Sequence, residues 1–135
     1  MRTKYGIPFT LLIIVTIVLS ACGAKDNAVD NKETITVDQI KSGTTNMLAT
    51  TSELKKEIEA GNESKVKELG PKLEDDWIAF EEGVESNYAD LYAKVEKSLD
   101  PEIAGSQKSP IDKQVLSQLN EELTQSLNEL LQTIE

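Results

Sequence analysis

Residues 110–134, PIDKQVLSQLNEELTQSLNELLQTI, carry the longest regular apolar pattern in the chain. Apolar residues recur there at steps of three and four, the spacing of one face of an α-helix. The members of this stripe are Ile111, Val115, Leu119, Leu123, Leu127, Leu130 and Ile134. Pro110 stands at a plausible helix start, so the stretch predicts a long amphipathic helix that buries one face.

Two further stripes of this kind predict two helices upstream. The first ends at Gly61, a residue type typical of helix C-termini, and the second follows Asn62, a residue type frequent at N-caps. The first stripe comprises Val37, Ile40, Thr44, Met47, Thr51, Leu54 and Ile58. The second comprises Val66, Leu69, Leu73, Trp77, Phe80 and Val84. Within the second, Gly70-Pro71 predicts a kink or a break, because proline removes a helical hydrogen bond.

Residues 63–99 leave two alternatives open. The second stripe continues in phase through Tyr88, Leu91 or Tyr92, Val95 and Leu99. The stretch is therefore either one long bent helix of about 55 Å, or two helices with a turn near residues 85–87. We prefer the turn, with Ser86 or Asn87 as the new N-cap, because the long helix would extend far beyond the first one.

The next boundary is predicted at Asp100-Pro101, which should stop the helix, with residues 104–109 as a loop. No segment shows the pattern of a strand. The sequence therefore predicts an all-α, small up-down helical bundle over residues 36–135. Four helices are preferred, and three with one long bent helix are the alternative.

The N-terminal residues have the layout of a secretory signal peptide. Arg2 and Lys4 precede an apolar run over residues 7–19, which at about 13 residues is too short for a transmembrane helix of roughly 20. Leu19-Ser20-Ala21-Cys22 then resembles the bacterial lipobox. That resemblance implies that residues 1–21 are a lipoprotein signal peptide and that Cys22 becomes the mature N-terminus, carrying lipid such as palmitate. The protein is then anchored at the outer, extracytoplasmic face of the cell membrane.

Residues 23–35, GAKDNAVDNKETI, are small, polar and charged. They show no apolar period, so residues 22–35 are predicted to be the lipidated cysteine and a disordered tether. Fully extended, the 13 residues after the cysteine reach about 43 Å. The tether is therefore long enough to hold a folded domain clear of a membrane surface.

Composition excludes several classes of function. The chain of 135 residues has no histidine, 24 acidic against 14 basic residues, and a formal net charge of −10. Without histidine the Ser-His-Asp and Cys-His catalytic systems and imidazole zinc sites are excluded. The negative charge repels nucleic acid, and any charged partner should be cationic. We expect a protein that is not an enzyme and does not bind nucleic acid.

An acidic segment lies between Lys72 and Lys94, where no basic residue occurs. Its acidic residues are Glu74, Asp75, Asp76, Glu81, Glu82, Glu85 and Asp90. On a helical wheel Glu81 and Glu96 lie at the margin of the apolar face, whereas Glu82 points to solvent. With Glu85 and the phenolic oxygen of Tyr92, these two carboxylates are the candidate ligands for ferric iron or another hard cation.

Simpler explanations stand beside that hypothesis. The acidic segment is also typical of a solvated surface, and Glu81 and Glu96 are equally suited to capping or to pairing with Lys94 and Lys97. The aromatic residues are predicted to be structural, because their helical spacing is more typical of core packing than of a binding site. They are Trp77, Phe80 and Tyr88, and Tyr92 has the same spacing.

The segments WIAFEEGV at residues 77–84 and YADLYAKVEKSLDP at residues 88–101 carry a resemblance. They resemble the helical extracytoplasmic modules of bacterial high-affinity iron permeases and, more distantly, the imelysin-like iron-uptake lipoproteins. The matching residues are Trp77, Glu81, Tyr92 and Glu96. The His-x-x-Glu motif of the imelysin-like proteins has no counterpart here.

The resemblance implies a lipid-anchored accessory protein that captures cations, iron first, beside a membrane permease. The alternative is an interaction lipoprotein that docks to another envelope protein without binding metal.

Overall fold

The computed structural model describes residues 34–134, which form five α-helices and, over that range, no strand. The helices are α1 (Val37–Ala60), α2 (Glu63–Ile78), α3 (Glu81–Asn87), α4 (Ala89–Ser106) and α5 (Lys113–Thr133). The predicted all-α class is confirmed. None of these helices is long and apolar enough to cross a membrane. The predicted signal peptide, Cys22 and the tether up to residue 33 lie outside the described residues.

The four long helices alternate in direction, as contacts at one end of the bundle show. At the start of α5, Lys113 Nζ donates to the backbone oxygen of Glu59 near the end of α1, at 3.2 Å. Just after α4, Gln107 Nε2 donates to the backbone oxygen of Lys67 near the start of α2, at 3.0 Å. Helices α1 and α4 therefore end where α2 and α5 begin, which is the up-down arrangement.

The boundaries of the first helix follow from its capping residues. The Thr36 hydroxyl accepts from the backbone N–H of Gln39, and the Gln39 side chain accepts in return from the N–H of Thr36. At the other end Gly61 adopts the left-handed conformation with φ 72°, and Asn62 then caps α2. The predicted start near Thr36 and the predicted boundary at Gly61 and Asn62 are both confirmed.

Residues 63–99 do not form one long helix. The preferred turn near residues 85–87 is confirmed to within one residue, at Tyr88, but the sequence did not predict a second break upstream of it. The chain breaks twice, at Ala79 and Phe80 between α2 and α3, and again at Tyr88 between α3 and α4. Neither Ser86 nor Asn87 is the N-cap of α4; the Asn87 side chain instead donates to the backbone oxygen of Gly83 within α3. The bundle thus has four long helices and one short helix in the α2 to α4 connection.

Phe80 explains the first break. Its ring is buried against α1, where a Cβ placed on Gly43 would lie 2.2 Å from the Phe80 Cδ1 atom. The missing side chain at Gly43 therefore makes the space that the ring fills. Phe80 leaves helical geometry at φ −143°, and α3 starts after it at a new angle.

Pro71 and Gly70 do not break α2. Proline at position 71 has no N–H, so the Lys67 carbonyl loses its helical donor, and Gln107 from beyond α4 supplies a replacement. Gly70 permits the close approach of the two helices, since a Cβ there would lie 1.9 Å from Ser106 Oγ. Gly70 is thus one point of close approach between α2 and α4.

The boundaries predicted around α4 and α5 are wrong. Helix α4 continues past Pro101 to Ser106, so the predicted loop over residues 104–109 is partly helical. Helix α5 begins at Lys113 rather than at Pro110, because the Asp112 side chain accepts from the backbone N–H groups of Gln114 and Val115. An N-cap carboxylate is a stronger start signal than the proline two residues earlier.

The core face of α5 also differs from the predicted stripe. Val115 is 50% exposed and Leu119 is partly buried, whereas Leu116 and Asn120 are buried. Three successive steps of four rotate a stripe by about 120° at about 100° per residue, so residues 111–123 cannot keep one face inward. At the start of α1, Val37 also differs from the predicted stripe, since it is 47% exposed.

Candidate functional site

An aromatic-carboxylate cluster lies where α2 ends and α4 begins; we use this name for Trp77, Glu81, Glu85, Tyr92 and Glu96. Trp77 is its centre and is buried, with 1% of its surface exposed. The Trp77 ring stacks on Tyr92, with centroids 5.7 Å apart and planes at 29°. It also meets the Phe80 ring edge-on at 5.1 Å and 84°. These contacts fix the indole in one orientation.

The indole holds one of the candidate carboxylates. Trp77 Nε1 donates a hydrogen bond to Glu96 Oε1 across the α2–α4 interface. Partial burial raises the pKa of Glu96, the Trp77 hydrogen bond opposes that rise, and the charges of Asp100 and Glu81 add to it. Lys94, the lysine expected to pair with it, instead contacts Glu129 of α5 at 2.6 Å.

Glu81 lies in the first turn of α3 and is partly buried. Burial raises its pKa, and the charges of Glu74, Glu85 and Glu82 raise it further. A carboxylate in the first turn of a helix is favoured by the helix dipole. The N-terminus of α3 has no side-chain capping hydrogen bond, however, so Glu81 does not cap this helix. Glu82 is partly buried too, so its predicted exposure to solvent is not what the structure shows.

Tyr92 lies close enough to Glu81 and Glu96 for the charges of both carboxylates to act on its phenol. Partial burial raises the pKa of its phenol, and the charges of Glu96, Glu81 and Glu85 raise it further. The structure thus brings Glu81, Glu85, Tyr92 and Glu96 into one negatively charged neighbourhood. Within residues 34–134, however, no three acidic side chains converge closely enough to hold a metal ion.

The remaining aromatics pack as the helical spacing predicts. Phe80 is buried at 1% exposure, and Tyr88 packs against the core at the junction of α3 and α4. Tyr92 is partly buried, with one face on Trp77. Phe80 and Tyr88 therefore support the shape of the cluster rather than supply ligands to it.

The oxygen atoms of the cluster determine which cations it can bind and how binding depends on pH. Carboxylate and phenolate oxygens are hard donors, suited to ferric iron, calcium, magnesium or manganese. Because the pKa values of Glu81, Glu96 and Tyr92 are all raised, protons compete with a cation for these oxygens. A bound cation would lower all three pKa values, so binding should weaken as the pH falls.

The cluster lies at the end of the bundle where the chain enters α1. Ile35, which precedes the first helix, lies against Gly83 of α3, where an added Cβ would come within 2.7 Å of it. Ile35 therefore packs on α3 at Gly83, two positions from Glu81 and from Glu85 along the chain. Cys22 lies outside the described residues.

A second polar group, which the sequence pattern did not predict, is buried between the helices. Glu102 is fully buried between the helices, and its Oε1 atom accepts a hydrogen bond from Asn120 Nδ2 at 2.9 Å. Asn120 Nδ2 also donates to the backbone oxygen of Thr51 at 3.2 Å. The predicted helix stop at Asp100-Pro101 concealed this residue. An asparagine at a core position of α5 is the signal that could have revealed it.

Comparison with known proteins adds one relative. The chain is 28% identical over 117 residues to the iron uptake system component EfeM of Bacillus subtilis strain 168. The alignment covers 82% of this chain and 30% of the relative, so the chain spans about a third of that protein's length. No protein-family profile matches the chain, and no solved structure does.

Proposed function

We propose that this protein is a lipid-anchored extracytoplasmic accessory protein of iron uptake that captures iron beside a membrane permease. The observation that carries the proposal is the similarity to an iron uptake system component, which extends over 82% of the chain. That similarity supports a general role in iron uptake. The proposal includes no catalytic step.

The aromatic-carboxylate cluster is the proposed capture site. Glu81 and Glu96 supply carboxylate oxygens, Tyr92 supplies a phenolic oxygen, and Glu85 adds negative charge nearby. The hydrogen bond from Trp77 fixes one oxygen of Glu96 and leaves the other to face the cation. Since these side chains do not form a closed cage, water or a chelator completes the coordination of the iron cargo.

The location of the cluster suits a protein that hands its cargo to a membrane partner. Lipid on Cys22 would hold the protein at the membrane through residues 22–35. That tether joins the bundle at Ile35, beside α3 and the cluster. Replacing Cys22 with serine should move the protein from the membrane fraction to the soluble fraction, and retention at the membrane would contradict the anchor.

Calorimetric titration of the full chain in mild detergent tests the capture site. Ferric citrate, Mn²⁺ and Ca²⁺ are added separately at moderate salt, which suppresses nonspecific attraction to the acidic surface. The variant Glu81→Gln/Glu96→Gln is compared with Glu53→Gln/Glu122→Gln, which loses the same charge from exposed positions on α1 and α5.

We expect saturable one-to-one binding that the first variant loses and the second retains. Equal losses in both variants, or heat that disappears as salt is added, would contradict the site and leave only counterion attraction to the surface.

A docking role without metal is the second candidate. One observation favours it: the acidic side chains of residues 34–134 do not converge on a metal position. In that case the bundle binds an envelope protein through its acidic face. Photocrosslinking from position 85 in membranes should then capture a partner equally well in the Glu81→Gln/Glu96→Gln variant and in the parent chain.

A further inference from the structure

The contacts of Glu102 join three helices. Glu102 is on α4, its hydrogen-bond donor Asn120 is on α5, and Asn120 also donates to the backbone oxygen of Thr51 on α1. All three residues are buried, with exposures of 0%, 1% and 1% in that order. Loss of this group would therefore affect the junction of α1, α4 and α5 rather than a single helix.

The carboxyl group is incompletely satisfied. Its Oε2 atom is buried and has no hydrogen-bond partner, while Oε1 has the single bond to Asn120. An ionised carboxylate has about four acceptor positions, and burying it with one donor is unfavourable. A neutral carboxylic acid needs far less solvation, so the site favours the protonated form.

Charged groups around the junction do not offset this burial. The flanking charged residues of the packed helices are Lys55 on α1, Lys67 on α2, Asp100 on α4 and Glu121 on α5, and all are exposed or partly exposed. Lys55 and Glu121 contact each other at 3.5 Å. The carboxylates of α3 lie toward the opposite end of α4. The Asn120 amide is thus the one group among residues 34–134 whose interaction offsets the burial of the Glu102 carboxylate.

We propose that the junction of α1, α4 and α5 around Glu102 is a pH-sensitive element, in which ionisation of the buried carboxyl group loosens the packing of α4. Burial raises the pKa of Glu102 to about 7 from its ordinary 4.5, and the Asn120 hydrogen bond only partly opposes the rise. The folded protein therefore binds this proton more tightly than the unfolded chain does.

The direction of the pH effect on stability follows from this difference in proton affinity between the folded and the unfolded chain. The contribution to stability is complete below about pH 4.5 and is lost as the pH rises through 7. Over that interval the unfolding equilibrium constant should increase about 300-fold from this group alone, which is ten raised to the difference between 7 and 4.5. A mildly acidic exterior would keep the junction closed, and a neutral to alkaline one would loosen it.

Urea denaturation of the full chain in mild detergent, followed by helical circular dichroism between pH 4 and pH 9, tests the proposal. Glu102→Gln is compared with Glu53→Gln, which removes the same charge from an exposed position of α1. The glutamine amide keeps an acceptor for Asn120 and mimics the neutral acid. The unfolding constant of the parent, relative to Glu102→Gln, should rise about 300-fold with pH, and relative to Glu53→Gln it should stay nearly constant.

Parallel pH profiles for the parent chain and Glu102→Gln would overturn the proposal. If Glu102→Gln does not fold, carbon NMR of the Glu102 carboxyl group in the parent chain decides the question. A midpoint near pH 7 supports the proposal, and one near 4.5 overturns it. Hydrogen exchange, corrected for its intrinsic pH dependence, should show faster opening of residues 99–106 above pH 7, and unchanged opening would overturn the loosening of α4.

Discussion

Replacing Gly43 with alanine tests the packing that places the aromatic cluster. The added Cβ would lie 2.2 Å from Phe80 Cδ1 and 2.7 Å from two further ring atoms. Carbon atoms pack at about 3.5 Å or more, so the ring must move by about 1.3 Å. The ring is buried and meets Trp77 edge-on at 5.1 Å, which leaves it little room to move.

The expected change in the free energy of unfolding for Gly43→Ala is the difference between two opposing effects. Overpacking a core costs about 1–3 kcal/mol, whereas glycine to alanine inside a helix gains about 1 kcal/mol. Because the contact involves three atoms of a confined ring, we expect a net loss of about 1–2 kcal/mol in the free energy of unfolding. In a domain of about 100 residues that lowers the midpoint of thermal unfolding by roughly 5–15 °C.

Thermal and urea unfolding measured by circular dichroism provide the assay. Ser42→Ala, an exposed neighbour in α1, is the control and should gain about 0.5 kcal/mol from helix propensity alone. Combining Gly43→Ala with Phe80→Leu should recover about 1 kcal/mol relative to the sum of the single changes. A Gly43→Ala protein more stable than the parent would refute the proposed contact.

Three further changes have defined outcomes. Trp77→Phe removes the donor to Glu96, so the pKa of Glu96 should rise, as carbon NMR of its carboxyl group can check, and stability should fall by about 1–2 kcal/mol. Gln107→Glu keeps the side-chain size but loses the donor to the Lys67 carbonyl; urea unfolding should show a loss of about 1 kcal/mol, and no loss would mean that water replaces the bond. Asn62→Ala removes the N-cap of α2 and should cost about 1 kcal/mol in the same assay, whereas Asn62→Asp should cost little.

The sequence predicted the parts of the fold that depend on local interactions. The start of α1 at Thr36 and the boundary at Gly61 and Asn62 follow from capping chemistry within a few residues. The all-α class follows from apolar periodicity. Capping residues and apolar periodicity can both be recognised from the residues of a single helix and its ends.

The sequence predicts helix breaks wrongly where a residue far away in the chain decides whether the helix continues. Pro71 stays inside α2 because Gln107, which lies 40 positions after Lys67, donates a hydrogen bond to the Lys67 carbonyl. The break at Phe80 depends on the space at Gly43 of α1. Single-helix patterns contain neither contact. The sequence therefore predicted a kink or a break at Gly70-Pro71, where the helix does not break, and missed the break at Phe80.

The metal-binding role of Glu81, Glu85, Tyr92 and Glu96 stays a prediction. Their helical spacing places Glu81 and Glu96 at the margin of the apolar face, and in the structure the charges of both act on Tyr92. The hydrogen bond from Trp77 to Glu96 could not be anticipated, because it depends on the orientation of two helices.

If the protein hands iron to a membrane partner as proposed, the shared position of the cluster and the chain entry affects how tightly that partner must bind. Helix α1 has 24 residues and is about 36 Å long, so a site at the other end would lie that much farther from Ile35. With a lipid on Cys22, the tether confines the near end to within about 43 Å of its anchor point. A partner beside that point would meet the cluster at an effective concentration on the order of 10 mM. Affinity for the partner could then be weak, which would allow it to leave quickly after each delivery.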